Sequence, residues 1–137
     1  MRPVPFNGAR AWSLSLADAD AGVLARTHFV EFLHSIEIEQ DFISTAELVF
    51  GELLGNVVRH APGPVQISID LNDDAMVLHV VDTGPPFSLN QSHLPTDVLS
   101  ERGRGLFIVA QLAAEVRVKK KRSRGNHIMV TLPRRVS

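Results

Sequence analysis

Between His60 and Val65 the chain changes its hydrophobic period. Before the Ala61-Pro62-Gly63-Pro64 break, Val49, Phe50, Leu53, Leu54, Val57 and Ala61 recur at helical spacing. After it, Val65, Ile67, Ile69 and Leu71 alternate with Gln66, Ser68 and Asp70, as a half-buried strand does. Proline and glycine cannot continue the helix through the break. A helix with one apolar stripe and a strand with one apolar face both need cover, so the junction points to helices stacked on a sheet.

The neighbouring segments extend this pattern. Ala11 to Leu16 alternates, with Trp12, Leu14 and Leu16 on one face. Asp18 or Asp20 can cap a helix through Val23, Phe29, Phe32 and Leu33 that ends near Ile36. A second helix should run from about Asp41 to Ala61. The Asn72-Asp73-Asp74 turn then joins VQISIDL to AMVLHVVD as a hairpin. From Thr83 to Arg102 the composition turns to Pro, Ser, Asn, Gln and Thr without a period, which marks a functional or disordered loop. A helix is expected from about Gly105 to Ala114, and strands near Val116–Lys120 and His127–Leu132 close the chain. Most strands follow one another as hairpins. The expected fold is therefore α+β, a two-layer α/β sandwich with a mixed, mostly antiparallel sheet and helices on one face.

At 137 residues, 45% hydrophobic and 21% charged, the chain fits a single globular domain over residues 1–137. It has no cysteine, which excludes disulfides, thiolate metal sites and thiol nucleophiles. The opening MRPVPFNGARAW lacks a signal-peptide core, and no run has the length of a membrane span; a cytoplasmic protein is the expectation. Charge is uneven, for fifteen acids stand against six bases through Glu115, and eight bases with no acid follow it. The basic 117–124 segment, centred on KKKRSRG (Lys119 to Gly125), reads as the solvated tip of a hairpin. No aromatic residues interleave with its bases, so direct nucleic-acid binding is not expected.

Three short segments carry groups capable of chemistry. In ELLGNVVRHA, Glu52 and Asn56 stand four residues apart and share a helix face. A carboxylate there can orient a nucleophile, and an amide oxygen is a hard ligand suited to Mg²⁺. In VVDTGPPF, Asp82 ends an apolar strand and Gly84 follows, where backbone can approach a flat ligand. In ERGRGLFIV, Gly103 and Gly105 with Arg102 and Arg104 precede a helix start, a place suited to phosphate. Each segment alone is also an ordinary exposed helix face, strand end or helix start. The chain has no Gly-Lys pair for a Walker loop, no G-x-S-x-G elbow and no H-x-x-x-H pattern.

Taken together and in order, the three segments resemble the N, G1 and G2 boxes of the GHKL (histidine kinase-like) ATPase superfamily, over Ala11 to Pro133. Within it, the short chain with ELLGNVVRHA and GRGLFIV resembles the RsbW-like anti-sigma-factor serine/threonine kinases. The resemblance implies ATP and Mg²⁺ as cofactors. It assigns Glu52 to activating the attacking hydroxyl or water, Asn56 to Mg²⁺, Asp82 to the adenine amino group and Gly84 to the space beneath the ring. Gly103 and Gly105, with Arg102, Arg104 and Leu106, would surround the phosphates, Thr131 would lie near adenine, and residues 83–102 would form the ATP lid. Where the family often has Gly-Thr, this chain has Gly125-Asn126.

The implied function is an ATP-dependent protein serine/threonine kinase that binds a sigma factor and phosphorylates an antagonist (anti-anti-sigma) protein. Membrane association is not expected, and a homodimer is possible by analogy with the anti-sigma relatives. Two other readings stay open: a non-catalytic nucleotide-binding interaction module, and a stand-alone histidine kinase-type ATPase domain. No helical phosphoacceptor segment precedes Ala11, which counts against the last.

Overall fold

The computed structural model describes residues 2–6, 9–84, 101–120 and 125–134. In chain order the elements are β1 (Arg2–Phe6), β2 (Ala9–Leu16), α1 (Ala19–Ser35), α2 (Gln40–His60), β3 (Gly63–Leu71), β4 (Ala75–Asp82), α3 (Glu101–Leu112), β5 (Glu115–Lys120) and β6 (Asn126–Pro133). The strands form one sheet in the order β1-β2-β3-β4-β6-β5. All five pairings are antiparallel, including β4 with β6, which are joined through α3 and β5. The sheet is thus antiparallel throughout rather than mixed, and β1 is a strand that the sequence pattern did not announce.

Local chemistry sets the element ends. Asp18 caps α1, its carboxylate accepting from the Ala21 N–H at 3.0 Å. At the β3–β4 turn the Asn72 side chain accepts from the N–H groups of Asp74 and Ala75, at 2.8 and 2.9 Å. The strands then alternate as expected. Val65, Ile67 and Ile69 of β3, Met76, Leu78 and Val80 of β4, and Ile128, Val130 and Leu132 of β6 are all buried. Register aligns one apolar row across the sheet, from Trp12 through Ile67, Val80 and Ile128 to Val118.

The helices cover this face. Phe29 of α1 stacks flat on Phe50 of α2, with ring centroids 4.1 Å apart, and both are fully buried. Trp12 meets Phe32 edge to face at 5.9 Å. Val23 does not join the core as its spacing suggested; it is 56% exposed, as is its neighbour Leu24 at 57%. α3 begins at Glu101, four residues before its expected start, so the lid cannot extend to Arg102 as an irregular loop. Residues 85–100 of that lid, and 121–124 of the basic segment, lie outside the described residues. Among the described residues no helix is long and apolar enough to cross a membrane.

Phe50→Ala should lower unfolding free energy by about 3–5 kcal/mol, because both the burial and the stacked partner are lost. Leu24→Ala, on the exposed side of α1, should change it by less than about 0.5 kcal/mol. Urea denaturation of the two variants checks the contrast.

Candidate functional site

The end of β4 meets the end of α2. Asp82 is the last residue of its strand and is only 2% exposed. A carboxylate in such a position needs donors, and it has three. The Gly84 N–H donates to Asp82 Oδ1 at 2.9 Å, the Asn126 N–H at 3.2 Å, and Asn126 Nδ2 at 3.1 Å. All three bonds end on the same oxygen, leaving Oδ2 without a hydrogen bond among the described residues. Asn126, fully buried, opens β6 directly across from Asp82, and Gly125 before it holds φ 123°, a conformation that suits glycine.

Gly84 is required for a steric reason. A Cβ built on it would stand 2.1 Å from Ala61 Cβ and 3.0 Å from Ala61 Cα. Ala61 caps the C-terminal end of α2 and is itself buried. The strand end and the helix end therefore touch through a glycine and an alanine, with room for nothing larger.

From that contact α2 leads back to the polar pair. Asn56 lies five residues before Ala61, about 7.5 Å along the axis, and Glu52 about 6 Å further. Asn56 is 2% exposed and its Nδ2 has no hydrogen-bond partner among the described residues. An unsatisfied buried amide costs about 1–3 kcal/mol, so the helix carries a polar group whose partner is not part of the described chain. Glu52, one turn earlier on the same face, is partly exposed. The Gly84–Ala61 contact thus joins the strand end that carries Asp82 to the helix that carries Asn56 and Glu52.

The phosphate-binding candidates fall in the first turns of α3. Arg102, Gly103, Arg104, Gly105 and Leu106 are helical rather than preceding a helix, and their side chains lie outside what the structure describes. The N–H groups of a helix's first turn have no intrahelical acceptor, so those of residues 101–103 have none within α3. Gly105 falls just beyond that turn.

Thr131 is not brought to Asp82. It lies five positions along β6 from Asn126, about 17 Å away, paired with Val77. It also faces the other side of the sheet, for it alternates with buried Val130 and Leu132. The residue at Asp82 is Asn126, which the sequence marks only as a departure from the family's Gly-Thr. Strand parity was the signal: Asp82 shares a face with Val80, so its partner must share a face with Ile128.

Among the described residues, one cavity lies on the strands β2–β4 and another against α2. One of about 270 Å³ opens beside Asp82 and Thr83, lined also by Ser13, Pro64, Val65 and Gln66. The other, about 290 Å³, lies between α1 and α2 and includes neither Glu52 nor Asn56. The line of polar groups on α2, rather than cavity size, locates the candidate site.

A two-layer sandwich with a buried carboxylate at a strand end and an unsatisfied amide on the facing helix defines a ligand-binding α+β domain. Residues 16–132 match the histidine kinase-like ATPase domain, and the chain belongs to that family. The family is one of ATP-binding domains, so ATP is the ligand that membership implies. No curated protein matches the sequence. Among solved structures, the SiaB–SiaC complex from Pseudomonas aeruginosa is similar with a TM-score of 0.69 at 14% identity, over 89% of this chain and 88% of that one. The RsbU and RsbW domains of Rv1364c from Mycobacterium tuberculosis give 0.64 at 18% identity, over 92% of this chain and 33% of that one. The catalytic domain of the histidine kinase ThkA gives 0.55 at 14%, over 90% and 98%. At these identities the likeness is one of fold.

Gly84→Ala should disrupt the site by forcing β4 away from α2, with a fall in thermal stability of several degrees. Adding Ala61→Gly should recover part of the loss, since the added methyl meets that side chain; thermal melts of the single and double variants test this. Asn126→Ala removes one donor from a buried carboxylate, which should cost about 1–3 kcal/mol in a denaturation experiment.

Proposed function

We propose that this chain is an ATP-dependent protein serine/threonine kinase of the anti-sigma-factor type, acting on a partner protein. The observation that carries the reading is the buried Asn56 side chain, whose Nδ2 has no partner among the described residues, on the helix that meets the Asp82 strand end. Such an arrangement suits an extended ligand with a hydrogen-bond donor at one end and phosphates at the other.

In this reading the three N–H donors hold Asp82 Oδ1, and Oδ2 accepts from the exocyclic amino group of adenine. Gly84 keeps the strand end low enough for the base to lie over it. The phosphates extend toward Asn56 and the first-turn N–H groups of α3. α3 supports this direction: Ala114 N–H donates to the Thr131 carbonyl at 2.9 Å, which anchors the helix's C-terminal end far from Asn126. The two-residue link into β5 turns the chain back there, and the N-terminal turn then heads toward the Asp82 end.

The unpartnered Asn56 Nδ2 is a donor and suits a phosphate oxygen, while Mg²⁺ would take the oxygen of the same amide. Asn56 supplies an amide whose oxygen is a hard ligand, and it would hold the ion. Bound there, the ion would neutralise phosphate charge. Glu52 then accepts the proton of a serine or threonine hydroxyl as that oxygen attacks the γ-phosphorus. The bond to the β–γ bridging oxygen breaks and ADP departs. Positioning and charge neutralisation do most of this work, which agrees with a site holding one carboxylate at the reacting end.

A sigma factor and an antagonist protein are the proposed partners. The similar structures include one with its partner SiaC and one with RsbU and RsbW domains together, which supports a protein partner. A homodimer, a single domain over 1–137, a cytoplasmic setting and a lid over 83–100 complete the proposal.

Glu52→Ala should keep nucleotide affinity within about twofold and lower phosphoryl transfer by about 10²-fold or more. Asn56→Ala should weaken Mg·ATP binding itself, and unchanged affinity would remove it from the site. Partners captured from lysate are incubated with labelled Mg·ATP. Acid-stable label on a small protein supports the serine/threonine kinase. Acid-labile label points instead to histidine chemistry, and binding without label to a nucleotide-dependent interaction module.

A further inference from the structure

The helices cover one face of the sheet, and the opposite face of β3, β4 and β6 carries a row of groups that the nucleotide site does not use. His79 lies on β4, with Asp70 on β3 and His127 on β6 diagonal to it. His79 Nε2 is 3.1 Å from Asp70 Oδ2, and His79 Nδ1 is 2.9 Å from His127 Nε2. The His79 side chain is 19% exposed and Asp70 58%.

We propose that His79 and His127 form a two-nitrogen site for a borderline divalent cation of the Zn²⁺ kind, with Asp70 orienting His79. An ionised carboxylate only accepts hydrogen bonds, so His79 Nε2 carries the hydrogen shared with Asp70. In the neutral ring this leaves Nδ1 with a lone pair, directed at His127. Two imidazole nitrogens on one tetrahedral Zn²⁺, each about 2.0–2.1 Å from the ion, stand about 3.3 Å apart. The present spacing of 2.9 Å is short of that by a few tenths of an ångström, which small rotations of rings tilted 39° to each other can supply.

With His79 Nδ1 as the acceptor, the hydrogen of that contact lies on His127 Nε2. On binding, His127 gives up that hydrogen to water, and both nitrogens turn their lone pairs to the ion. A carboxylate on the far nitrogen of a ligating histidine is the usual support for such a site, fixing the tautomer and the ring. Among the described residues no group of three or more His, Cys, Asp or Glu is spaced to share an ion, so the two imidazoles are the protein ligands proposed. Lys119, exposed and across from His127 in register, opposes the charge, whereas Asp70 favours it. Imidazole selects Zn²⁺, Ni²⁺ or Cu²⁺ over Mg²⁺, which separates this site from the phosphates of a nucleotide.

The test uses the full chain without an affinity tag, stripped of metal and free of nucleotide and Mg²⁺. Zn²⁺ is titrated in competition with a chromophoric indicator. One equivalent should bind, with affinity at least tenfold weaker in His79→Ala and in His127→Ala. Asp70→Asn should weaken it about tenfold, the lower end of the usual effect of such a partner. His34→Ala, on α1, should leave it unchanged. Ring-nitrogen NMR on the unaltered protein needs no variant to fold, and Zn²⁺ should move the signals of His79 and His127. No binding by the unaltered protein, undiminished affinity in both alanine variants, or shifts at other histidines instead would each overturn the site.

Discussion

The backbone of Gly84 approaches Ala61 so closely that a single added methyl group would lie 2.1 Å from the alanine Cβ. Through that contact the last residues of β4 and the end of α2 are held in one relation. Asp82 is thereby fixed at a set distance from Asn56, because β4 cannot be lifted or shifted without leaving a gap at Ala61. The helix supplies the rest of the geometry. Its rise of about 1.5 Å per residue spaces Ala61, Asn56 and Glu52 along a rigid rod. That rod is held by the stacked pair Phe29 and Phe50 and by the buried stripe from Ile43 to Val57.

Polar burial is distributed unequally across this contact. At the sheet end, Asp82 Oδ1 is saturated by protein donors, so the carboxylate is rigid before any ligand arrives. On α2, the Asn56 amide is buried with a donor unused. A satisfied group fixes geometry, and an unsatisfied one stores a demand for a partner. Their coexistence at the end of β4 and on α2 is an arrangement that a purely structural helix would avoid, because apolar residues in place of Asn56 would be more stable.

Much of this was legible in the chain. The period change at Ala61-Pro62-Gly63-Pro64 announced α2 and β3, and the pair Asp18 and Asp20 announced the start of α1, which Asp18 caps. The i, i+4 spacing of Glu52 and Asn56 put both on one helix face. Three features were not legible. β1 carries two prolines among five residues, a poor strand signal, and it forms only because β2 offers a free edge. α3 starts at Glu101, inside what reads as a glycine-rich loop, because intrinsic propensity is weak and packing against α2 and the core through Val109 decides. Thr131 looked suitable by residue type, but the register of β6 against β4 sends it to the other face and the other end of the strand.

The sequence by itself determined the layers, the helix face that bears Glu52 and Asn56, and the strand that delivers Asp82, since all three follow from local periodicity and breakers. Only the tertiary structure decided which residue of β6 meets Asp82 and why Gly84 cannot be larger. It alone also joined Asp70, His79 and His127 in one row. Those relations depend on strand register and on the approach of a helix end to a strand end. They connect residues as far apart as 48 positions, and no local pattern records such a distance.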